Sequence, residues 1–303
     1  MIRFVLRRLL TGVAVIWATA TAAFLGLRVA PGDIVDSIIG EGPDTAEIRA
    51  RIAGEWRLDR SGPVQYADFL WRAVRGDLGH SYLLNRPVAD VVGENIRPTV
   101  SLALAAGSLG MLVALGLAVA TRRSGARRVS SVVELVLVST PPFLIGIVLL
   151  DLLSFRLGWF PVAAGEGGAL VLPALTLALP VAALLAQTLR DGLDRALDEP
   201  FIVTARARGL GEGSVLVRHT LRHALLPAVT LTGWMFGALL GGAVIVEQVF
   251  GRPGVGTVTR QAVTTGDLPV VMAVVMCSAV GYVLCTLAAD LAYVVIDPRL
   301  RDG

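Results

Sequence analysis

Long uncharged stretches separated by short polar connections dominate the chain. Five runs, residues 9–27, 98–121, 167–189, 224–246 and 268–289, contain no acidic or basic residue. Each is close to the roughly 20 residues that a helix needs to cross about 30 Å of hydrocarbon. A sixth stretch, about 132–155, holds Glu134 near one end and Asp151 near the other, with sixteen uncharged residues between them. Charges near a helix terminus reach the interface, so this stretch also reads as a span. The pattern predicts an all-α integral membrane protein with six transmembrane helices. The first run follows Arg3, Arg7 and Arg8 as a signal peptide would. It is too long for a usual signal core, and Arg28 stands where a small residue would precede cleavage, so it reads as a retained helix.

Composition supports this class. The 303 residues are 54% hydrophobic and 17% charged, with a mean hydropathy of +0.70, outside the range of soluble domains of this size. All 27 basic residues are arginine, against 24 acidic ones. Arginines crowd the ends of apolar runs instead of forming one patch, which argues for topology signals and against nucleic-acid binding. They precede the first span, separate spans two and three as Arg122, Arg123, Arg127 and Arg128, number six between spans four and five, and close the chain as Arg299 and Arg301. The positive-inside rule then places both termini in the cytoplasm.

The chain therefore divides into residues 1–30 (amino terminus and first span), 31–97 (a long external segment) and 98–303 (a five-helix core). Short helices are expected in the external segment. Asp44 and Glu47 suggest a capping box, with Ile48 and Ile52 on one face. Tyr66, Phe69, Leu70 and Ala73 recur at helical spacing until Gly76.

Little in the sequence supports catalysis. The three histidines, His80, His219 and His223, have neither a nucleophile pattern nor acidic partners at ligand spacing. Cys277 and Cys285 lie eight positions apart in an apolar run, which suits neither a disulfide framework nor zinc. No catalytic residue and no metal site is expected. A phosphate loop needs a lysine and the chain has none, so any ATP chemistry must reside in another protein.

Between spans four and five, Pro200 suits the first turn of a short helix and Gly209 its end, with Phe201, Ile202 and Ala205 packing it. A second helix is expected from near Ser214, and Pro227 marks the start of span five. A helix, glycine turn and helix on the cytoplasmic face suggest a partner-docking element. Elsewhere, Pro141 and Pro142, next to Ser139, remove backbone donors inside span three and should kink or unwind it, either for packing or to line a pathway. Gly233, Gly237 and Gly241 recur every four residues on span five and predict a flat face for close helix approach, a packing face first and a gating surface second. Glu134, Asp151, Glu247 and Asp290 are expected to anchor at the interface, with Asp151 and Glu247 as outer-side contacts for substrate or a binding protein.

Residues 204–211, Thr-Ala-Arg-Ala-Arg-Gly-Leu-Gly, resemble the coupling motif of ABC importer permeases in the variant of the peptide and nickel importers. The general motif reads Glu-Ala-Ala, three residues and then Gly. Val203, Thr204 and Ala205 take its first places and Gly209 the glycine, with Val203 replacing glutamate and Leu221-Arg222 replacing the closing Leu-Pro. Further motifs similar to dipeptide and oligopeptide permeases of the DppB/OppB type occur in order. They comprise 7–10 and 27–33, 76–81, 86–88, 141–143, 157–161, 172–175, 246–256, 267–269 and 297–299.

The resemblance implies a type I ABC importer permease fold in a bacterial inner membrane. It implies a coupling helix near 198–212, with Val203, Thr204, Ala205, Arg206, Ala207, Arg208, Gly209, Leu210, Gly211 and Glu212 contacting an ATPase. The implied partners are a second homologous permease, two cytoplasmic ATPases that hold ATP and magnesium, and an external substrate-binding protein. The implied cargo is di- or oligopeptide, with nickel or haem as the alternative within the family. An ion-coupled secondary transporter is the rival class, and it would call for paired polar groups in mid-membrane and internal repeats, neither evident in the sequence.

Overall fold

The computed structural model describes residues 2–29, 35, 39, 44–55, 59–121, 124–161 and 169–296. Apolar runs become helices because a backbone in hydrocarbon must satisfy its own hydrogen bonds. In chain order these are α1 (Ile2–Val29), α2 (Ala46–Glu55), α3 (Gly62–Val74), α4 (Val88–Ala120), α5 (Ser124–Ser139), α6 (Pro142–Leu149), α7 (Val171–Leu197), α8 (Pro200–Ala207), α9 (Leu221–Val249), α10 (Val255–Thr264) and α11 (Leu268–Ile296). Stretches in α1, α4, α7 and α11 are long and apolar enough to cross a membrane, and α5 with α6 and its extension qualifies as a bent pair. The run 224–246 lies within α9. Motif residues 31–33 and 297–299, and the connecting Arg122 and Arg123, lie outside the described residues.

Contacts divide the chain into two compact units, one of Met1–Arg8, Thr99–Arg252 and Tyr282–Gly303, the other of Leu9–Pro98 and Pro253–Gly281. In the first unit α7 and α9 form the centre. Leu177 and Leu172 of α7 pack with Leu239, Ala243 and Val246 of α9 and Leu102 and Ala106 of α4. Farther along, Leu185, Leu189 and Leu193 pack with Ala224, Ala228 and Met235. Small residues set the spacing: a Cβ on Gly192 would lie 2.9 Å from the Ala224 Cα and 3.1 Å from its carbonyl oxygen. Of the glycines expected to form a flat face on α9, Gly237 receives the Tyr282 ring, 2.6 Å from where a Cβ would sit, whereas Gly241 has nothing within 4 Å. Among the described glycines, Gly192 is the one whose Cβ would come closest to another helix's backbone; the surroundings of Gly233 lie outside the described side chains.

Span three is broken, not straight. Pro141 adopts φ −57° and ψ 137° and Pro142 begins α6, so the axis turns by 108° between the two helices. Two consecutive prolines remove two helical donors and push the preceding backbone to the extended region. The chain continues from α6 into a π-helical stretch, Leu150–Arg156, closed by Gly158 at φ 63°. Pro227 sits inside α9 and does not open it. The helix is entered through Glu212–Ser214 and a π-helical Val215–Thr220. Similarly, α4 begins at Val88 and takes Pro98 into its interior.

In the second unit, the apolar core joins Val88 and Val92 of α4 with Val255 and Ala262 of α10 and Val270, Val271 and Val274 of α11. Residues 62–74 fold as the helix expected from their spacing. Tyr66 projects from it to the Thr21 hydroxyl and the Phe24 ring, 5.1 Å between centroids. The start of α2 differs from the expected capping box. Thr45 Oγ1 accepts the Ile48 N–H at 3.3 Å, leaving Asp44 to pair with Arg49 at 2.6 Å.

Replacing Gly192 with valine should force α7 from α9 and cost about 1–3 kcal/mol, as overpacking does. Thermal unfolding of the detergent-purified protein should show a lower midpoint for Gly192→Val, whereas Gly116→Ala, which meets nothing within 4 Å, should not lower it. An unchanged midpoint for Gly192→Val would contradict the close packing.

Candidate coupling surface and buried charge network

Helix α8 begins where the sequence requires. Glu199 is extended and Pro200 supplies a fixed φ at the first position. Gly209 closes the helix at φ 79°, donating its N–H to the Arg206 carbonyl at 2.9 Å, while the Leu210 N–H reaches Ala205 at 3.3 Å. This left-handed closure suits glycine and folds the chain back. Ile202, Ala205 and Val215 form a small buried cluster with Leu197 and Leu210. Arg206 spans the turn to Glu212 with bonds of 2.8 and 3.2 Å, and that carboxylate holds the guanidinium above its usual range.

The opposite face stays open. Val203 is 67% exposed, and Thr204, Arg206, Ala207, Arg208, Gly209, Gly211, Glu212 and Gly213 are exposed with it. Phe201 lies at the edge, its ring 5.1 Å from that of His223. Here an apolar residue is ringed by small side chains and arginines on a shallow exposed surface. It is held rigidly because its inner face is anchored.

Seven residues before the end of α7, Arg190 is buried against Glu134 of α5. Its guanidinium donates to the carboxylate through Nη2 at 2.5 Å and Nη1 at 3.2 Å, and both side chains are 2% exposed. Ser130, one turn before Glu134, donates to the same carboxylate at 2.6 Å. Nearer α8, Arg127 of α5 binds Asp194 at 2.5 Å and Asp191 at 3.4 Å. Five charged side chains and a hydroxyl therefore tie the end of α7 to α5, directly before α7 turns into α8.

This network corrects the expected interfacial anchoring of Glu134 and was missed for Arg190, which by sequence counts as a loop arginine just past an apolar run. The spacing of Ser130 and Glu134, four residues apart in an apolar helix, is the signal that could have found it. Glu247 is also buried, at 1% exposure, and accepts the Thr99 hydroxyl at 2.5 Å. Asp151 pairs with Arg156 at 2.8 Å with its side chain 48% exposed, and Asp290 with Arg8 at 2.8 Å. Ser139 ends α5 at the exposed break beside Pro141 and Pro142. The structure pairs Asp151 and Glu247 with different residues instead of joining them in one site. Among the described residues, no group of three or more His, Cys, Asp or Glu could hold a metal ion.

Residues 108–302 match the model of a family described as the binding-protein-dependent transport system inner membrane component. The chain is 36% identical over 323 residues to a Brucella ovis protein named as a candidate peptide permease, with 99% of each chain covered. It is 34% identical over 305 residues to the glutathione transport system permease protein GsiC of Salmonella typhi, again covering 99% of each. Among solved structures it is similar in fold to the MetNI methionine ABC transporter in inward-facing conformations, with a TM-score of 0.51 at 20% identity over 67% of this chain and 94% of that one. A second similarity is to an amino acid ABC transporter crystallised with histidines, with a TM-score of 0.50 at 18% identity, over 70% and 94%.

Removing one member of a buried pair costs about 3–5 kcal/mol because the other charge is left uncompensated. Unfolding midpoints should therefore fall sharply for Glu134→Gln and for Arg190→Met. The double variant should lose much less than the sum. Additivity within about 0.5 kcal/mol would contradict the pairing.

Proposed function

We propose that this chain, which belongs to the family of binding-protein-dependent transport system inner membrane components and is the permease subunit of an ABC importer, conducts short peptides. In this reading it pairs with a second, homologous permease to enclose the pathway. Two cytoplasmic ATPases bind and hydrolyse ATP, and an external binding protein delivers cargo. Both termini face the cytoplasm, in keeping with the arginine distribution. Two relatives support the cargo class through their names, one for peptide and one for glutathione, itself a tripeptide.

The observation that carries the coupling role is the geometry of α8. Its outer face at Val203, Ala207 and Arg208 is open, its inner face is locked by Ile202, Ala205 and Val215, and Asp198 and Glu199 alone separate it from α7. Closure of an ATPase pair against residues 203–212 would push on α7. The buried Arg190–Glu134 contact would then move α5 with α7, carrying the displacement toward the break at Pro141. Gating by Ser139, Pro141, Pro142, Gly233, Gly237, Gly241, Asp151 and Glu247 is the corresponding proposal for the pathway. Among these, the helix axis breaks at Pro141 and Gly241 has open space beside it, whereas Gly237 is packed against the Tyr282 ring.

Gly209→Pro tests the coupling role. Proline fixes φ near −65° and lacks the N–H that Gly209 donates to Arg206, so the turn cannot form. In proteoliposomes with ATPases and binding protein, the variant should assemble and hydrolyse ATP yet import at least tenfold less peptide per ATP. Normal import would contradict the role assigned to residues 203–212.

A further inference from the structure

Three short motifs that the coupling role leaves unused meet in the second unit. The Ser81 hydroxyl, at the end of the 76–81 motif, donates to Asp267 Oδ2 at 2.5 Å, and the Tyr82 N–H donates to Oδ1 at 3.3 Å. The 86–88 motif closes the loop, with the Ser81 N–H donating to the Arg86 carbonyl and the Val88 N–H to the Gly79 carbonyl, both at 2.9 Å. Ser81 is 0% and Asp267 2% exposed, so this loop is a rigid buttress. It forms one wall of a cavity of about 390 Å³ whose lining includes Phe24, Phe69, Arg72, Asp77, Tyr82 and Met272. That volume falls in the lower part of the roughly 300–1,000 Å³ range of small-molecule sites.

The polar lining is unevenly satisfied. Arg60 takes the Asp68 carboxylate at 2.9 Å, whereas Arg72 has only a 3.4 Å bond from Nε to the Asp68 carbonyl. Among the described residues no carboxylate pairs with Arg72. Gly79, at φ 81°, leaves its guanidinium room: a Cβ there would lie 3.8 Å from Nη1. Burial, reinforced by the Asp267 charge, pushes the Tyr82 hydroxyl up to about 12. The Arg72 guanidinium over an apolar floor suits a carboxylate. Exposed Asp77 places a negative charge in the same lining.

We propose that this cavity binds the free carboxylate end of a short peptide, with Arg72 pairing with the carboxylate, Phe24, Phe69 and Met272 contacting its apolar parts, and Asp77 facing its amine. The assignment rests on the peptide reading above and adds a second contact point for cargo, separate from the pathway residues. It is tested with the assembled importer in nanodiscs of zwitterionic lipid, without binding protein, by titrating trialanine and its carboxy-terminal amide. Wild type should bind trialanine saturably and the amide at least tenfold more weakly. Arg72→Gln should lose the same factor. Arg75→Gln, which removes an equal charge from a residue stacked on Trp71 at 4.2 Å, should bind as wild type does. No binding, equal binding of the amide, or wild-type binding by Arg72→Gln would overturn the site. If ATP-driven trialanine uptake in proteoliposomes persists in that case, only the site fails. If uptake is also absent, the peptide reading fails.

Discussion

A guanidinium and a carboxylate removed from water inside an apolar helix bundle are the constraint on which the first unit depends. Each alone would cost about 2.5–3.5 kcal/mol at the centre of a membrane span on insertion scales. Together, with Ser130 donating to the same carboxylate, Arg190 and Glu134 form their two hydrogen bonds through Nη1 and Nη2 only when α5 and α7 stand in one register. Apolar packing alone would tolerate sliding by a residue or a turn, because leucine and valine faces are interchangeable. The ion pair does not. It selects one arrangement, and it lies two turns of helix before the surface of α8.

This placement gives rigid and yielding parts different tasks. α7 and α9 approach so closely at Gly192 and Ala224 that no side chain fits at position 192, and Arg127 adds further contacts between α5 and α7 at Asp191 and Asp194. Beyond Ser139 that continuity ends, since the double proline cannot extend the helix and turns it by 108°. The π-helical stretches Leu150–Arg156 and Val215–Thr220 continue α6 and lead into α9. Such stretches often mark functional positions. In the proposed coupling role, a push on α8 would meet the packed helices α7, α9 and α5 first and the break at Pro141 afterwards.

Much of this was legible in the sequence, for physical reasons. An uncharged run of membrane length must be helical whatever surrounds it, so the apolar runs located the long helices. The ends of α8 followed from backbone chemistry local to Pro200 and Gly209. What depended on tertiary contact was hidden. Arg190 directly follows an apolar run and looks like the loop arginines around it, and only its partner 56 positions away makes it buried. Ser81 and Asp267 are 186 positions apart, and nothing near either names the other. Pro227 reads as a helix start because proline favours first turns, and the uncharged run beginning at Pro98 hides the earlier start of α4 at Val88. Here neighbouring helical segments carry the chain through both prolines.

The central claim is that this chain supplies a pathway and a lever for an engine housed in its partners. It is tested most directly by the ATPase rate of the purified assembly in lipid nanodiscs, with the binding protein empty and then loaded with a short peptide. The account predicts that ATPase subunits co-purify and that loaded binding protein stimulates hydrolysis several-fold over the empty form. An assembly that lacks ATPases, or one whose hydrolysis responds to nickel or haem and ignores peptide, would contradict it.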